Sequence, residues 1–299
     1  MIYIKKRLLR AVSTLAAVCL LLVAFSLGGG TRTPPAVQAV KETGAAGGVR
    51  LPILMYHSML PPSVATGTYI LSPALFEQDL QYLQKEKYTT VTIETLLDYV
   101  NGRGTLPAKP IMLTFDDGYY NNYKYAFPLL KKYNMKMVLS PIGICTERFS
   151  TADADHITYS HVTWSELNEM LASGLVEVQN HTYNLHKSGK GARLGSSKLR
   201  SESTADYQKM LRADLTKMQD LVFQHTGVRM TAFTYPFGAV SEAAGPVVRL
   251  MGFEATMTCN SHVNTIVQDP SCLYGLGRFL RKPGVAPAQF FRETVKDEG

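Results

Sequence analysis

Pro110-Ile111-Met112-Leu113-Thr114-Phe115-Asp116-Asp117-Gly118 decides how this chain folds. A four-residue apolar run closes on two adjacent carboxylates and a glycine. That is the profile of a short buried strand, 110–115, ending at a polar face. Two acids in that place repel each other and stay ionised only where solvent or a cation receives them. A second strand-like run, Gly174-Leu175-Val176-Glu177-Val178, leads into His181-Thr182-Tyr183-Asn184-Leu185-His186. One Asp with two His is a frequent ligand set for a catalytic divalent metal, leaving positions open for water and substrate. The other Asp is then free to act as base on that water. The pattern points to metal-dependent hydrolysis.

Working outward, strands and helices alternate. Residues 51–55 read as an apolar strand that ends at Met55-Tyr56-His57-Ser58. Ser72-Pro73 supplies an N-cap and a proline at the first helical position, and Phe76, Leu80 and Leu83 then recur on one face. A strand at 89–92 and a short helix at 94–100 precede the Asp strand; a helix at 122–133, despite Pro128, and a strand at 135–141 follow it. Thr163-Trp164-Ser165-Glu166 is a capping box for a helix that Gly174 closes. The strand 175–180 carries the His pair at its end. A long amphipathic helix covers 203–226, and a strand at 230–235 leads into Pro236-Phe237-Gly238. Helices at 246–251 and 288–295 surround a strand near 253–257, while 142–162 and 187–202 read as loops. This βα alternation implies a parallel sheet with helices outside.

An open sheet and a barrel share that pattern. A barrel is favoured because four strand ends carry polar chemistry, and in barrels those ends converge on one face. They are His57, the Asp116-Asp117 pair, the His181 and His186 pair, and Tyr235-Pro236-Phe237-Gly238. Each alone has a plainer account, such as a hydrogen-bonded structural His or an Asp-Asp-Gly turn. Their joint placement favours a site. His156, His161, His225, His262, Trp164 and most tyrosines read as surface or packing residues.

With 299 residues, 45% hydrophobic and 18% charged, the chain can bury a large core. Its formal charge of +7 includes Lys5, Lys6, Arg7, Arg10 and Arg32, and residues 1–39 hold no acid; removing those five leaves +2. A near-neutral body argues against a nucleic-acid partner. The basic cluster precedes an apolar run from Ala11 to Leu27, which marks export. Residues 1–28 are therefore either a cleaved signal peptide or an uncleaved membrane anchor. Either way the body lies outside the cell or on the outer face of the cytoplasmic membrane. Residues 29–49 read as a flexible linker and 50–299 as a single catalytic domain. Cys145, Cys259 and Cys272 remain; a Cys259–Cys272 disulfide is one option in an exported protein.

On Thr114-Phe115-Asp116-Asp117-Gly118, the His181–His186 motif, Tyr235-Pro236-Phe237-Gly238 and Pro52-Ile53-Leu54-Met55-Tyr56-His57-Ser58, residues 50–280 resemble a polysaccharide deacetylase. The family is the NodB-homology type, carbohydrate esterase family four. The resemblance implies a distorted (β/α) barrel and hydrolysis of acetyl groups on sugars. It implies that Asp117, His181 and His186 bind the metal. Zn²⁺ suits that set best, and Co²⁺, Ni²⁺ and Fe²⁺ accept it. Asp116 would be the base, the backbone N–H at Phe237 would hold the oxyanion, and Tyr235 would belong to the same oxyanion and substrate region. Two departures are plain. The second His lies five residues after the first rather than four, and no C-terminal Leu-x-His is present. Both resemble a subgroup acting on poly-N-acetylglucosamine, in which the His after the first strand is the acid; here that is His57. Arg278 is an option for orienting the base. The partner implied is an N-acetylated polysaccharide. An O-acetyl esterase on a plant polysaccharide and a non-catalytic glycan-binding protein are the competing readings.

Overall fold

The computed structural model describes residues 47–151, 155–189 and 193–296. The expected N-terminal signal and most of the linker lie outside the described residues, within which no helix is long and apolar enough to cross a membrane.

The chain opens with β1 (Val49–Leu51) and β2 (Ile53–Tyr56), then β3 (Ser58–Met59) and β4 (Ile70–Leu71). Helix α1 (Pro73–Lys85), β5 (Thr89–Thr90), α2 (Ile93–Val100) and β6 (Pro110–Asp117) follow. Next come α3 (Phe127–Tyr133), β7 (Met137–Pro141), α4 (Gly143–Thr151), α5 (Trp164–Ala172), β8 (Val176–Val178) and α6 (Thr204–Thr226). The chain finishes with β9 (Ala232–Thr234), α7 (Ala244–Leu250), β10 (Ala255–Met257), β11 (Asn264–Ile266), β12 (Phe279–Leu280) and α8 (Pro287–Phe290).

The strands close into the barrel expected from the sequence. Parallel neighbours run β12-β2-β6-β7-β8, and β9 pairs with β10 in parallel. Two single parallel bridges, Asn180 to Phe233 and Met257 to Leu276, join the two groups into a ring. Strand periodicity of two then sorts the side chains. Ile53, Met112, Val138, Ala232 and Ala255 fill one buried cluster. Leu54, Leu113, Phe115, Leu139 and Val178, on the opposite parity, pack with Phe76, Leu80 and Leu83 of α1 and with Leu130 of α3.

Several helix ends follow from local chemistry. Ser72 caps α1 by accepting from the Leu75 N–H at 3.1 Å. Thr163 and Glu166 form the expected capping box of α5. Gly227, at φ +73, closes α6.

Other expectations are corrected. The apolar run 51–55 is two strands, because Pro52 has no N–H to continue a ladder; β1 pairs antiparallel with β11 while β2 stays in the barrel. The helix expected at 122–133 starts with a wide π turn at Asn122–Ala126, where the Phe127 N–H reaches back to the Asn122 carbonyl, and becomes α-helical at Phe127 with Pro128 in its first turn. The region 142–162, expected as loop, contains α4. Cys259 and Cys272 are free thiols. The Cys259 Sγ stands 3.8 Å from Met55 Sδ, and the Cys272 thiol faces the Val267 carbonyl at 3.6 Å.

Asp79, on the inner face of α1, is fully buried with Arg281. The guanidinium contacts both carboxylate oxygens at 2.8–3.1 Å, and the Tyr56 hydroxyl donates to the same carboxylate at 3.2 Å. Removing one partner of a buried pair strands the other charge, which costs about 3–5 kcal/mol. Asp79→Asn should therefore lower unfolding stability by about that amount in a denaturant titration. A loss below ~1 kcal/mol would show that the pair behaves like a surface ion pair.

Candidate metal and hydrolytic site

The two adjacent acids of β6 do different things because of backbone geometry. Asp116 shares parity with Met112 and Thr114 and points into the barrel. There it meets Arg278, which is 0% exposed, in a two-pronged ion pair at 2.7 and 2.8 Å. Arg278 is fixed in turn, donating to the Thr258 carbonyl at 2.9 Å and to Thr114 Oγ1 at 3.1 Å. The Thr114 hydroxyl donates to the Leu54 carbonyl at 2.8 Å. Burial works to raise Asp116, but the Arg278 charge and hydrogen bonds, with His181 and His57, hold it well below the usual carboxylate range.

Strand parity alone would send Asp117 the other way, towards the helices. Its φ of +68° breaks the alternation and turns the carboxylate to the barrel mouth. Gly118 follows at φ +73°, and a Cβ there would stand 2.6 Å from Pro141 Cβ, so the close approach of β6 and β7 requires glycine.

Asp117 meets the histidines there. Its Oδ1 is 3.5 Å from His181 Nε2 and 3.2 Å from His186 Nε2. His181 Nδ1 stands 2.8 Å from the Thr234 carbonyl; the carbonyl can only accept, so Nδ1 carries the proton and Nε2 offers a lone pair to the site. Asp117 Oδ1 is buried without a hydrogen-bond partner. Three ligand atoms, one each from Asp117, His181 and His186, lie within 4.8 Å of one another. Acceptor atoms turned on each other are costly unless a cation sits among them, and a buried, partnerless carboxylate oxygen is what a metal ligand looks like without its ion. The donor set fits a divalent metal.

The cleft over these groups holds about 690 Å³. His57, expected from the sequence, lines it, with its ring 4.8 Å from that of Tyr69 and its Nδ1 buried without a partner. Burial lowers the His57 pKa against the opposing pull of Asp116 and Asp117. Phe237 also lines the cleft. It sits at φ +59°, is 43% exposed, and its ring lies 4.2 Å from that of His186. Tyr235 does not reach the site. Its side chain is buried in a cluster with Phe233, Tyr207 and Phe253, and its backbone N–H donates to the Met257 carbonyl at 3.0 Å. Alternation on β9 explains this, since Thr234 faces inward, bonded to Ser140, and its neighbour must face out.

Other cleft residues carried no sequence signal. Tyr69, 58% exposed, is presented by the small β3–β4 pair, and Tyr119, Thr158, Ser261 and Lys282 come from separate loops. Arg278, the option named from the sequence for orienting the base, does contact Asp116 and had a further local signal. Two arginines three apart around the apolar pair Phe279-Leu280 suggest a strand with an arginine on each side of the sheet.

The family model described as polysaccharide deacetylase matches residues 103–256. The poly-beta-1,6-N-acetyl-D-glucosamine N-deacetylase of Escherichia coli (strain K12) is 27% identical over 211 residues, 64% of this chain and 31% of that protein. The chain thus spans about a third of the length of that relative. Among solved structures, a de-N-acetylase from Aggregatibacter actinomycetemcomitans superposes with a TM-score of 0.70 at 26% identity, covering 81% of this chain and 98% of that one. IcaB from Ammonifex degensii gives 0.66 at 29% identity, covering 79% and 94%.

Arg278→Met would leave the Asp116 carboxylate buried without its countercharge, at an expected cost of about 3–5 kcal/mol at neutral pH. The sign with pH follows from linkage. In the wild type the depressed Asp116 contributes stability that is present above its unfolded-state pKa and lost as pH falls through the folded one. In the variant burial raises the same carboxyl, so acid stabilises the variant relative to the wild type. The stability gap measured by denaturant titration should be wide at pH 7 and narrow at pH 4. A gap that widens in acid would contradict this account of the pair.

Proposed function

The chain belongs to the polysaccharide deacetylase family, and on that premise we propose that it is a metal-dependent N-deacetylase. Its substrate is an extracellular or cell-surface polysaccharide containing N-acetylglucosamine. One observation carries the proposal: neighbouring acids on one strand are divided between a buried arginine and a histidine pair. A binding module would need neither the division nor the cost of burying both.

In this reading Asp117, His181 and His186 hold the metal. Bound there, a divalent ion, with Zn²⁺ favoured and Co²⁺, Ni²⁺ and Fe²⁺ able to replace it, supplies Lewis acidity to the acetyl carbonyl and lowers the pKa of water. The chain's own residues do the rest. Asp116, ionised and held square by Arg278, takes the proton from the attacking water. The water oxygen bonds to the acetyl carbon and the C–N bond breaks, giving acetate and a free amine. His57 supplies the proton that the departing nitrogen needs. Phe237, bent into the left-handed region at the cleft wall, brings its own N–H to the oxyanion. Support for the sugar comes from the relatives' activity, and support for location comes from the basic and apolar pattern of residues 1–28.

Acetate release by purified chain tests the proposal. Poly-N-acetylglucosamine oligomers, peptidoglycan and acetylxylan are assayed side by side, with chelator and with added Zn²⁺. Chelator-sensitive release from a glucosamine polymer is expected, and Asp116→Asn should keep its metal while losing rate by orders of magnitude. Release from acetylxylan alone would turn the assignment to an O-acetyl esterase. His57→Ala should slow amide cleavage far more than cleavage of an activated acetate ester, whose leaving group needs little protonation. Equal slowing of the two would remove His57 from the acid role.

A further inference from the structure

We infer that Asp214, on the face of α6, is a positioning residue that fixes the reach of His186 and so sets the metal affinity of the cradle. The inference rests on the metal role proposed above for Asp117, His181 and His186.

The two histidines are joined by four residues that form no helix, so no regular hydrogen-bond ladder sets their separation. Thr182 even adopts φ +73°, which a β-branched residue does only under constraint, at a cost of about 1–3 kcal/mol. The surroundings supply that constraint group by group. Asn180 Oδ1 accepts from the Thr182 N–H at 2.9 Å, and Thr182 Oγ1 accepts from the Leu185 N–H at 3.2 Å. The carbonyls of Thr182 and Tyr183 accept from the Gly143 and Ile144 N–H groups, at the start of α4, at 3.1 and 2.9 Å. Two loop amides remain, those of Tyr183 and Asn184. Both donate to Asp214, one to each carboxylate oxygen, at 2.8 and 2.9 Å.

Asp214 therefore closes the set of bonds that shapes the loop, and does so with the strongest acceptor available. Helix α6 holds it rigidly, capped by Ser203 at one end and Gly227 at the other. One turn further on, Lys217 Nζ lies 3.6 Å from the Tyr183 ring centroid, so the same helix face grips the loop twice. His181 has its own tie, to the Thr234 carbonyl. Loosening the loop therefore displaces His186 first. The extra residue between the histidines makes such an anchor necessary, because a longer irregular loop has more conformations to exclude.

The test is metal affinity rather than turnover. Zn²⁺ binding to wild type, Asp214→Ala and Asp214→Asn is measured by competition with a chromophoric chelator, and the visible spectrum of each Co²⁺-loaded protein is recorded. Asp214→Ala should bind about 10–100-fold more weakly, the range seen when support of a ligand is removed, with an altered Co²⁺ spectrum. Asp214→Asn keeps one acceptor oxygen and should fall between; should the alanine variant fail to fold, it carries the test alone. Asp79→Asn, which breaks the buried pair under α1, serves as the destabilised control and should keep wild-type affinity and spectrum. Wild-type affinity in the Asp214 variants, or equal weakening in the control, overturns the positioning role while leaving the metal site standing. A wild-type chain that takes up no metal overturns the proposed function and the inference together.

Discussion

The buried ion pair between Asp116 and Arg278 is the constraint on which the rest depends. Two charges taken out of water cost several kcal/mol each, and their attraction offsets this only in good geometry with every remaining donor satisfied. The barrel meets those terms in layers. Apolar side chains fill one end, Thr114, Ser140 and Thr234 put hydroxyls across the middle, and the carboxylate stands above them at the mouth. Arg278 spends its third direction on the Thr258 carbonyl. A base assembled this way is oriented before any substrate arrives, so little reorganisation is left for the reaction itself.

The same short strand ties site to shell. Arg278 and Leu280 face the barrel interior and the cleft, whereas Phe279 and Arg281 face α1, where Arg281 meets Asp79. A two-residue strand is thus flanked by one guanidinium for chemistry and one for packing. Displacing it would disturb both, although the two arginines serve unrelated groups.

How much of this was legible in the sequence depends on which physical signal each feature leaves. The barrel, α1, α5, α6 and the meeting of His57, Asp116, Asp117, His181 and His186 were readable, since they rest on periodicity, caps and the clustering of polar strand ends. What was hidden lacks such marks. Helix α4 buries Gly143, Thr146 and Phe149, a stripe of three in which one member is apolar enough to be noticed. The outward turn of Tyr235 depends on which residue of β9 enters the barrel, and a run of three strand residues does not announce its parity. The rotation of Asp117 is a backbone event at a non-glycine residue, invisible to propensity. Arg278 stays no more than one option for orienting the base, because an arginine reads by default as surface until its partner is seen.

The strands of the ring are not paired over equal lengths all round. Most neighbours share two to four register pairs, but the β9–β10 pair is stitched to the rest by one bridge at Asn180 and another at Met257. Backbone bonds still close both seams: Asn180 exchanges bonds with Ala232 and Thr234 on one side, and Leu276 with Thr256 and Thr258 on the other, so β9 and β10 form a narrow stave in a closed wall. Phe237 and Cys259 follow the stave, while His57, the two aspartates and the histidine loop's first residue belong to the wall. The Thr234 carbonyl of that stave holds His181 Nδ1, and the Thr258 carbonyl just beyond it holds Arg278, so the narrow stave and the metal-holding wall are fastened to each other at the chemistry itself.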